Sequence, residues 1–104
     1  MAVQTITDKE FEKTLSDNDK VVVKYFADWC GSCKLIAPKY KRMSDDDDMK
    51  GVTFVEINAE ENPQAREKAG VNNLPFFATF KNGKLVEGRP TSKKEKVEEM
   101  IGDL

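Results

Sequence analysis

The pattern of apolar and polar positions divides the chain into two kinds of segment. Residues 21–27 (VVVKYFA) and 52–58 (VTFVEIN) are almost continuously apolar, which is typical of strands covered on both faces of a sheet. Apolar residues instead recur every three or four positions in residues 11–15, 35–43 and 97–104. That spacing places them on one side of a helix, so it predicts three amphipathic helices.

The first residues predict a short strand followed by a capped helix. Residues 3–6 form the strand, and Thr7 supplies the helix cap. Glu10, three residues later, completes a capping box, and Ile6 with Phe11 can form a hydrophobic staple across the helix start. These signals set the boundary between the two elements.

Two further helices carry their own start signals. Asn62 is the predicted cap of a short helix, with Pro63 at its first position and Gly70 as its stop. Ser92 and Glu95 form a second capping box ahead of the C-terminal helix. The chain is therefore predicted to contain four helices.

Residues 75–86 carry a hairpin signal, because PFFATF and KLV flank the dipeptide Asn82-Gly83. The predicted element order is β-α-β-α-β-α-β-β-α. Strands joined through helices pair in parallel, while the hairpin adds an antiparallel edge. The predicted fold is α/β, with a central mixed five-stranded sheet flanked by helices on both faces.

Length and charge narrow the class of protein. With 104 residues, 38% of them apolar and 35% charged, the chain is predicted to form one domain over residues 1–104. Its net charge of −2 comes from interspersed acids and bases, which argues against binding nucleic acid. The start MAVQTITDKEF lacks the features of a signal peptide, and no apolar run approaches the roughly 20 residues that span a bilayer. We expect a cytoplasmic monomer without nucleic-acid or membrane partners.

Cys30 and Cys33 are the only cysteines, and the chain has no histidine. They lie where a central strand gives way to a helix, at the edge where α/β sheets place their chemistry. The unpaired amides and partial positive charge of a helix start favour thiolate, the nucleophile of disulfide exchange. Cys30 is therefore predicted to attack a foreign disulfide, and Cys33 to resolve the mixed disulfide. This chemistry is expected to need one exposed and one shielded thiol.

Two structural roles for the pair stay open. A structural zinc ion takes four nitrogen or sulfur ligands, so two sulfurs without an imidazole would require a zinc ion shared between two chains. A structural disulfide would close so short a loop that it removes little chain entropy, and a cytoplasmic environment would tend to reduce it. Redox catalysis without a metal or bound cofactor is the favoured interpretation.

The segment ADWCGSCK resembles the active-site motif of the thioredoxin family. The proline of KLIAPKY, then NAEENP, NNLPFF and FKNGK, match the family in order and spacing, and the resemblance covers nearly the whole chain. It implies the thioredoxin fold and a protein dithiol–disulfide oxidoreductase whose own dithiol carries the electrons. It also implies two kinds of partner, namely proteins with disulfides as substrates and a thioredoxin reductase for recycling.

The resemblance also implies roles for residues around the cysteines. Pro75, after Leu74, matches the family's cis-proline, which faces the cysteines and presents a backbone edge to an extended substrate. Trp29 would flank the site as a surface aromatic. The implied substrate-binding residues are Trp29, Gly31, Ser32, Leu74, Pro75 and Phe76.

Three departures from the family pattern affect this site. Ser32 replaces the usual proline, and its amide and hydroxyl predict a better-stabilised thiolate and a couple less reducing than the roughly −270 mV of thioredoxin. Phe76 replaces the usual threonine, which predicts a more apolar substrate groove. The family's usual glycine near Thr91 is missing, and Pro90 there predicts a short last strand at the sheet edge.

Lys24 interrupts the first buried run, where the family usually has an aspartate behind the resolving cysteine. Glu56 lies where the family has a lysine, so the resemblance implies an ion pair with exchanged signs. A lone buried ammonium costs several kcal/mol, which favours the pair. In the alternative, Lys24 extends to solvent and Glu56 lies on a hydrated strand end. A charged Lys24 would attract thiolate and a neutral one could accept the proton of Cys33, so either state predicts a pair that tunes the cysteines.

Two other functions stay open. The altered groove at Phe76 and Thr91 is compatible with a dedicated oxidoreductase or isomerase for one client. A non-catalytic thioredoxin-like binding module is the other, although such a module has no use for an intact cysteine pair. Reduction of insulin disulfides separates an enzyme from a module, and the reduction potential separates a reductant from an oxidant.

Overall fold

The computed structural model describes residues 3–104 and contains a five-stranded mixed sheet. The strands are β1 (Gln4–Thr5), β2 (Lys20–Phe26), β3 (Val52–Asn58), β4 (Phe76–Lys81) and β5 (Lys84–Pro90). The helices are α1 (Asp8–Asp17), α2 (Gly31–Ser44), α3 (Pro63–Ala69) and α4 (Lys94–Gly102), with a 3₁₀ turn at Asp47–Met49. The predicted element order and fold class are confirmed.

Strand β2 lies at the centre of the sheet, whose spatial order is β1-β3-β2-β4-β5. Strands β1, β3 and β2 are parallel, while β4 is antiparallel to β2 and β5 is antiparallel to β4. The carboxyl ends of β2 and β3 therefore meet at one edge of the sheet, and the chain leaves β2 at that edge toward Cys30. No helix among the described residues combines the length and apolarity needed to cross a bilayer.

Two apolar clusters cover the two faces of the sheet. Alternate residues of a strand point to opposite faces. Val21, Val23 and Tyr25 of β2 pack in the cluster that contains α1 and α3, whereas Val22 packs in the cluster that contains α2 and α4. Lys24 follows Val22 on the same face, so β2 directs a cation toward α2.

Two local predictions are confirmed. Thr7 caps α1, since its hydroxyl accepts a hydrogen bond from the amide of Lys9 and its own amide donates to Glu10 Oε1 at 2.9 Å. In the hairpin, Asn82 and Gly83 have φ angles of 52° and 81°. Positive φ at both positions is what the type I′ turn, common in two-residue hairpins, requires.

The start of α3 is capped differently from the prediction. Asn62 precedes Pro63 as expected, but its side chain makes no cap bond to α3. Asn62 Oδ1 instead accepts from the amide of Asp8 in α1 at 2.7 Å. The carboxylate of Asp8 accepts from the amides of Gln64 and Ala65 at 3.1 and 2.9 Å. The two helix starts cap each other because α1 and α3 lie on the same face of the sheet.

Two predictions near the C-terminus are wrong. Strand β5 is not short but continues to Pro90, which is tolerated because the missing amide lies on an edge strand. The capping box of Ser92 and Glu95 does not form, because the residue that precedes α4 is Lys93, which makes no side-chain cap bond. Thr91 Oγ1 instead accepts from the Lys93 amide at 3.1 Å and closes a local turn.

Candidate active site

Helix α2 begins directly beside the first sulfur of the cysteine pair. Cys30 is the residue before the helix, and its Sγ accepts a hydrogen bond from the amide of Cys33 at 3.2 Å. The helix starts at Gly31, four residues earlier than the apolar spacing indicated. The free amides and partial positive charge of the α2 start are therefore directed at the Cys30 sulfur.

The two sulfurs are joined in a disulfide, with Cα atoms 5.3 Å apart. Cys30 and Cys33 are 4% and 3% exposed, so the expectation of one exposed cysteine is wrong for this oxidised form. The reason is local packing, since Ala27, Phe26 and Leu74 lie against the pair. The residues between the cysteines, Gly31 and Ser32, are exposed.

The implied recognition residues surround the disulfide. Trp29, which directly precedes Cys30, is 68% exposed, and Leu74 is half-buried and packs against the cysteines. The Leu74–Pro75 peptide bond is cis, as the resemblance implied, and Pro75 is buried. The carbonyl of Pro75 accepts from the amide of Thr91 at 3.1 Å, which ties this segment to the end of β5.

Phe76 does not line a groove, contrary to the prediction. Its side chain is 3% exposed and packs edge-to-face on Tyr25, with ring centroids 6.0 Å apart. Alternation along β4 turns Phe76 toward the cluster under α1 and α3. Phe76 is therefore linked to the site through the backbone of the preceding residue, Pro75.

Glu60 is a site residue that the sequence analysis missed. Its Oε2 accepts from Trp29 Nε1 at 2.7 Å, and its amide donates to Asn58 Oδ1 at 2.9 Å. The amide of Ala59 donates to the carbonyl of Phe26 at 2.8 Å, which fixes this loop to the end of β2. The available signal was the position of the NAEENP segment, which follows β3 at the same sheet edge as the cysteines.

Lys24 and Glu56 form the ion pair that the resemblance implied. They are register partners on β2 and β3, and Nζ lies 3.1 Å from Oε1. The Lys24 side chain is 5% exposed, so the alternative in which it reaches solvent is wrong, while Glu56 is 27% exposed. Thr5 donates to the other carboxylate oxygen at 2.8 Å. The ammonium also lies 5.6 and 5.7 Å from the ring centroids of Phe26 and Tyr40, within the range of cation–π attraction.

Tyr40 holds α2 against both strands of the ion pair. Its hydroxyl lies 2.9 Å from the carbonyl of Val22 and 2.8 Å from that of Val55, and shares its proton between them. Complete burial raises the pKa of Tyr40 well above its usual value, and the charge of Glu56 raises it further against the opposing bond to Val55. Tyr40 is therefore an uncharged side chain that packs beside the ion pair.

A partly open pocket of about 330 Å³ is lined by the ion pair and by Cys33. It is lined by Lys24, Phe26, Ala27, Asp28, Cys33, Lys34, Ala37 and Glu56. Cys33 and the ion pair thus line the same pocket. Within residues 3–104, no three histidine, cysteine, aspartate or glutamate side chains converge on a possible metal site.

The sequence is similar to that of one protein family along nearly the whole chain. A family model described as Thioredoxin matches residues 2–103. The chain is 33% identical over 102 residues to Thioredoxin-1 of Schizosaccharomyces pombe, covering 98% of this chain and 86% of that protein. It is 30% identical over 107 residues to a thioredoxin of Alicyclobacillus acidocaldarius, covering 99% and 98%.

Solved structures of thioredoxins have a similar fold. The thioredoxin of Plasmodium falciparum superposes with a TM-score of 0.88 at 30% identity, covering 97% of this chain and 98% of that one. Thioredoxin f of spinach chloroplast superposes with a TM-score of 0.90 at 27% identity, covering 98% and 92%. The fold of this chain is therefore shared along nearly the full length of these proteins.

Proposed function

Because the chain belongs to the thioredoxin family and is a thiol–disulfide oxidoreductase that acts on protein disulfides, we propose that Cys30 is its nucleophile and Cys33 its resolving cysteine. The observation that supports this order is the start of α2, whose Cys33 amide donates to Cys30 Sγ. A sulfur in that position gains most from the helix charge when it is a thiolate.

The reaction begins from the reduced pair. The Cys30 thiolate attacks one sulfur of a client disulfide, so a mixed disulfide forms and the other client sulfur leaves as thiolate. The Cys33 thiolate then attacks Cys30 Sγ, which forms the Cys30–Cys33 bond and releases the second client sulfur. Two electrons pass from the dithiol to the client, and the two thiol protons end on the client thiols.

The second step requires Cys33 to lose its proton next to the ion pair. Lys24 and Glu56 share with Cys33 the pocket of about 330 Å³. A cation held there by Glu56 favours negative charge on Cys33, and the carboxylate, which is partly exposed, links the pocket to solvent. The pair thus takes over the task that a buried aspartate has in related proteins, with the signs exchanged.

An extended client segment binds to the surface around the disulfide, which is formed by Trp29, Gly31, Ser32, Leu74 and Pro75. Trp29 is fixed by Glu60, and Leu74 packs against the cysteines, so the two apolar side chains flank the disulfide. Ser32 in place of the usual proline supports a couple less reducing than the roughly −270 mV of thioredoxin. Because Phe76 is buried, its contribution to client choice is indirect.

The proposed setting is a reducing one. A protein that reduces client disulfides has to be returned to its dithiol form, and cytoplasmic conditions favour that form. We place the protein in the cytoplasm as a monomer, recycled by a thioredoxin reductase. Turnover with NADPH and such a reductase tests the proposed recycling, and the mass in solution tests the monomer.

The cysteine roles are tested by reduction of insulin with dithiothreitol as electron donor. Wild type should accelerate insulin precipitation, and Cys30→Ser should abolish the acceleration. Cys33→Ser should also be inactive but should accumulate a mixed disulfide with insulin through Cys30. Lys41→Met, an exposed change on α2, serves as control and should keep full activity. Trapping by Cys30→Ser instead of Cys33→Ser would reverse the assigned roles.

A further inference from the structure

Gly88 of β5 lies where no side chain fits without a shift. A Cβ atom placed on Gly88 would lie 3.0 Å from Cε1 and Cζ of Phe76 and 3.2 Å from the carbonyl oxygen of Ala69. The φ angles of Gly51, Gly70 and Gly83 are positive, but that of Gly88 is not. The backbone conformation therefore does not require glycine at this position, and the close approach of the Phe76 ring does.

The Phe76 ring has little freedom to retreat from Gly88. It is 3% exposed and packs edge-to-face on Tyr25, itself fully buried. The Tyr25 hydroxyl donates to the carbonyl of Ala65 in α3 at 2.8 Å, which fixes the tyrosine in turn. The ring thus lies in a closed space between β2, α3 and β5.

The position of Phe76 also sets the position of the segment above it. Phe76 directly follows Pro75, whose carbonyl accepts from the Thr91 amide, and Phe76 pairs in register with Pro90. Leu74, on the other side of Pro75, packs against the cysteines. Strand β5 and the residue after it therefore fix residues 74–76 at two points, one where Gly88 meets the Phe76 ring and one where the Thr91 amide donates to Pro75.

We propose that Gly88 is a positioning residue for client recognition. It acts through Phe76 and does not touch the cysteines. Because Gly88 has no side chain, the Phe76 ring can occupy its buried position. The backbone of Leu74 and Pro75 is then held beside the disulfide, where a client can bind to it. This inference rests on the proposed role of that edge in receiving clients.

The inference separates two classes of substrate. An extended polypeptide needs the backbone edge at residues 74–76, whereas a small aromatic disulfide needs only access to Cys30. A side chain at Gly88 should therefore weaken the reaction with a protein disulfide and leave the reaction with a small disulfide nearly unchanged. A merely structural role would affect both or neither.

The experiment compares Gly88→Val, Phe76→Val and the double variant Phe76→Val/Gly88→Val. In the double variant, the smaller valine at position 76 makes room for the new side chain at position 88. The measurements are KM and kcat for insulin, the rate of the reduced protein with 5,5′-dithiobis(2-nitrobenzoate), and the melting temperature. Gly88→Val should raise KM several-fold, less than the ~100-fold that a 1 Å misplacement can cost, at unchanged kcat. The double variant should recover most of the loss. Gly88→Ala, which demands a smaller shift, should show the same change to a lesser degree and covers the case in which Gly88→Val does not fold.

An unchanged KM in folded Gly88→Val, equal losses in the single and double variants, or a parallel fall in the rate with the small disulfide would each overturn the inference. A separate readout keeps it distinct from the proposed function. The amide resonances of Leu74 and Phe76 should move in Gly88→Val and return in the double variant, whether or not wild type reduces insulin. Inactive wild type would contradict the proposed function, while unmoved resonances would contradict the role of Gly88.

Discussion

Lys24 and Glu56 face each other across the two central parallel strands, with ammonium and carboxylate 3.1 Å apart. The lysine is enclosed by the rings of Phe26 and Tyr40, and the carboxylate is partly open to solvent. Cys33 lines the same pocket. This arrangement gives Cys33 the Lys24 ammonium and the partly exposed Glu56 carboxylate as neighbours.

Removing the cation should affect both stability and chemistry. Lys24→Met leaves the Glu56 carboxylate without its partner, so the free energy of unfolding should fall by about 2–3 kcal/mol, less than the ~3–5 kcal/mol of a fully buried pair because Glu56 is partly exposed. Loss of the positive charge should also raise the pH at which Cys33 titrates and slow insulin reduction. Urea unfolding measures the change in the free energy of unfolding, and thiolate absorbance at 240 nm measures the change in cysteine titration.

The double variant Lys24→Met/Glu56→Gln separates these effects. It removes the stranded charge, so much of the stability should return, while the slower insulin reduction should persist. Lys41→Met is the matched control on the exposed side of α2 and should change neither quantity. Wild-type cysteine titration and wild-type insulin reduction in Lys24→Met would show that the pair is only structural.

Both tyrosines should resist ionisation while the protein is folded. Burial raises the pKa of Tyr25 and of Tyr40, with smaller contributions from the charges of Asp8 and Glu56 respectively. A raised pKa in the folded state means that stability is complete below the unfolded value of about 10 and is lost as the pH rises beyond it. Absorbance at 295 nm should therefore show no phenolate until far-ultraviolet circular dichroism reports unfolding. Phenolate in the folded protein near pH 10 would contradict this burial.

The sequence predicted well those features that depend on neighbouring residues. The capping box of Thr7 and Glu10, the Asn82-Gly83 turn and the bounds of β3 all follow from short-range patterns. The location of Cys30 near a helix start also followed, because the apolar run of β2 ends just before Cys30 and helical spacing begins a few residues after it. Local signals therefore gave the order of the elements.

The features that were missed depend on residues far apart in the chain. Asp8 caps α3 across more than 50 positions, so nothing near Asn62 could indicate it. The direction of Phe76 depends on which face of β4 meets α3, and its contact with Gly88 depends on strand pairing. The ion pair was found only because the resemblance supplied the alignment of β2 with β3.

The mutual capping of α1 and α3 should contribute measurably to stability. Asp8→Ala removes the acceptor for the amides of Gln64 and Ala65, and should lower the free energy of unfolding by about 1–2 kcal/mol. Lys9→Ala, an exposed neighbour on α1, is the control and should change it little. Equal stability of the two variants by urea unfolding would show that the cap is unimportant.

Thr79 offers a stabilising substitution. Its hydroxyl is buried in β4 without a hydrogen-bond partner among the described residues. Thr79→Val replaces that hydroxyl with a methyl group of similar shape, so the free energy of unfolding should rise by about 1 kcal/mol. Thr53→Val on β3 is the matched control, since Thr53 donates to Asn18 Oδ1 at 3.1 Å and should lose stability instead. A loss of stability in Thr79→Val would indicate a partner for the hydroxyl in solution.

The most direct measurement is the order in which the two reduced sulfurs react with iodoacetamide as the pH is raised. Mass spectrometry of the digested protein gives the extent of alkylation at each site. Because the α2 amides point at Cys30 Sγ, Cys30 should be alkylated well below pH 8.5, the ordinary midpoint of a free cysteine, while Cys33 stays unmodified. Preferential alkylation of Cys33, or no reaction of Cys30 until the pH reaches that midpoint, would contradict activation of the first sulfur by the helix start.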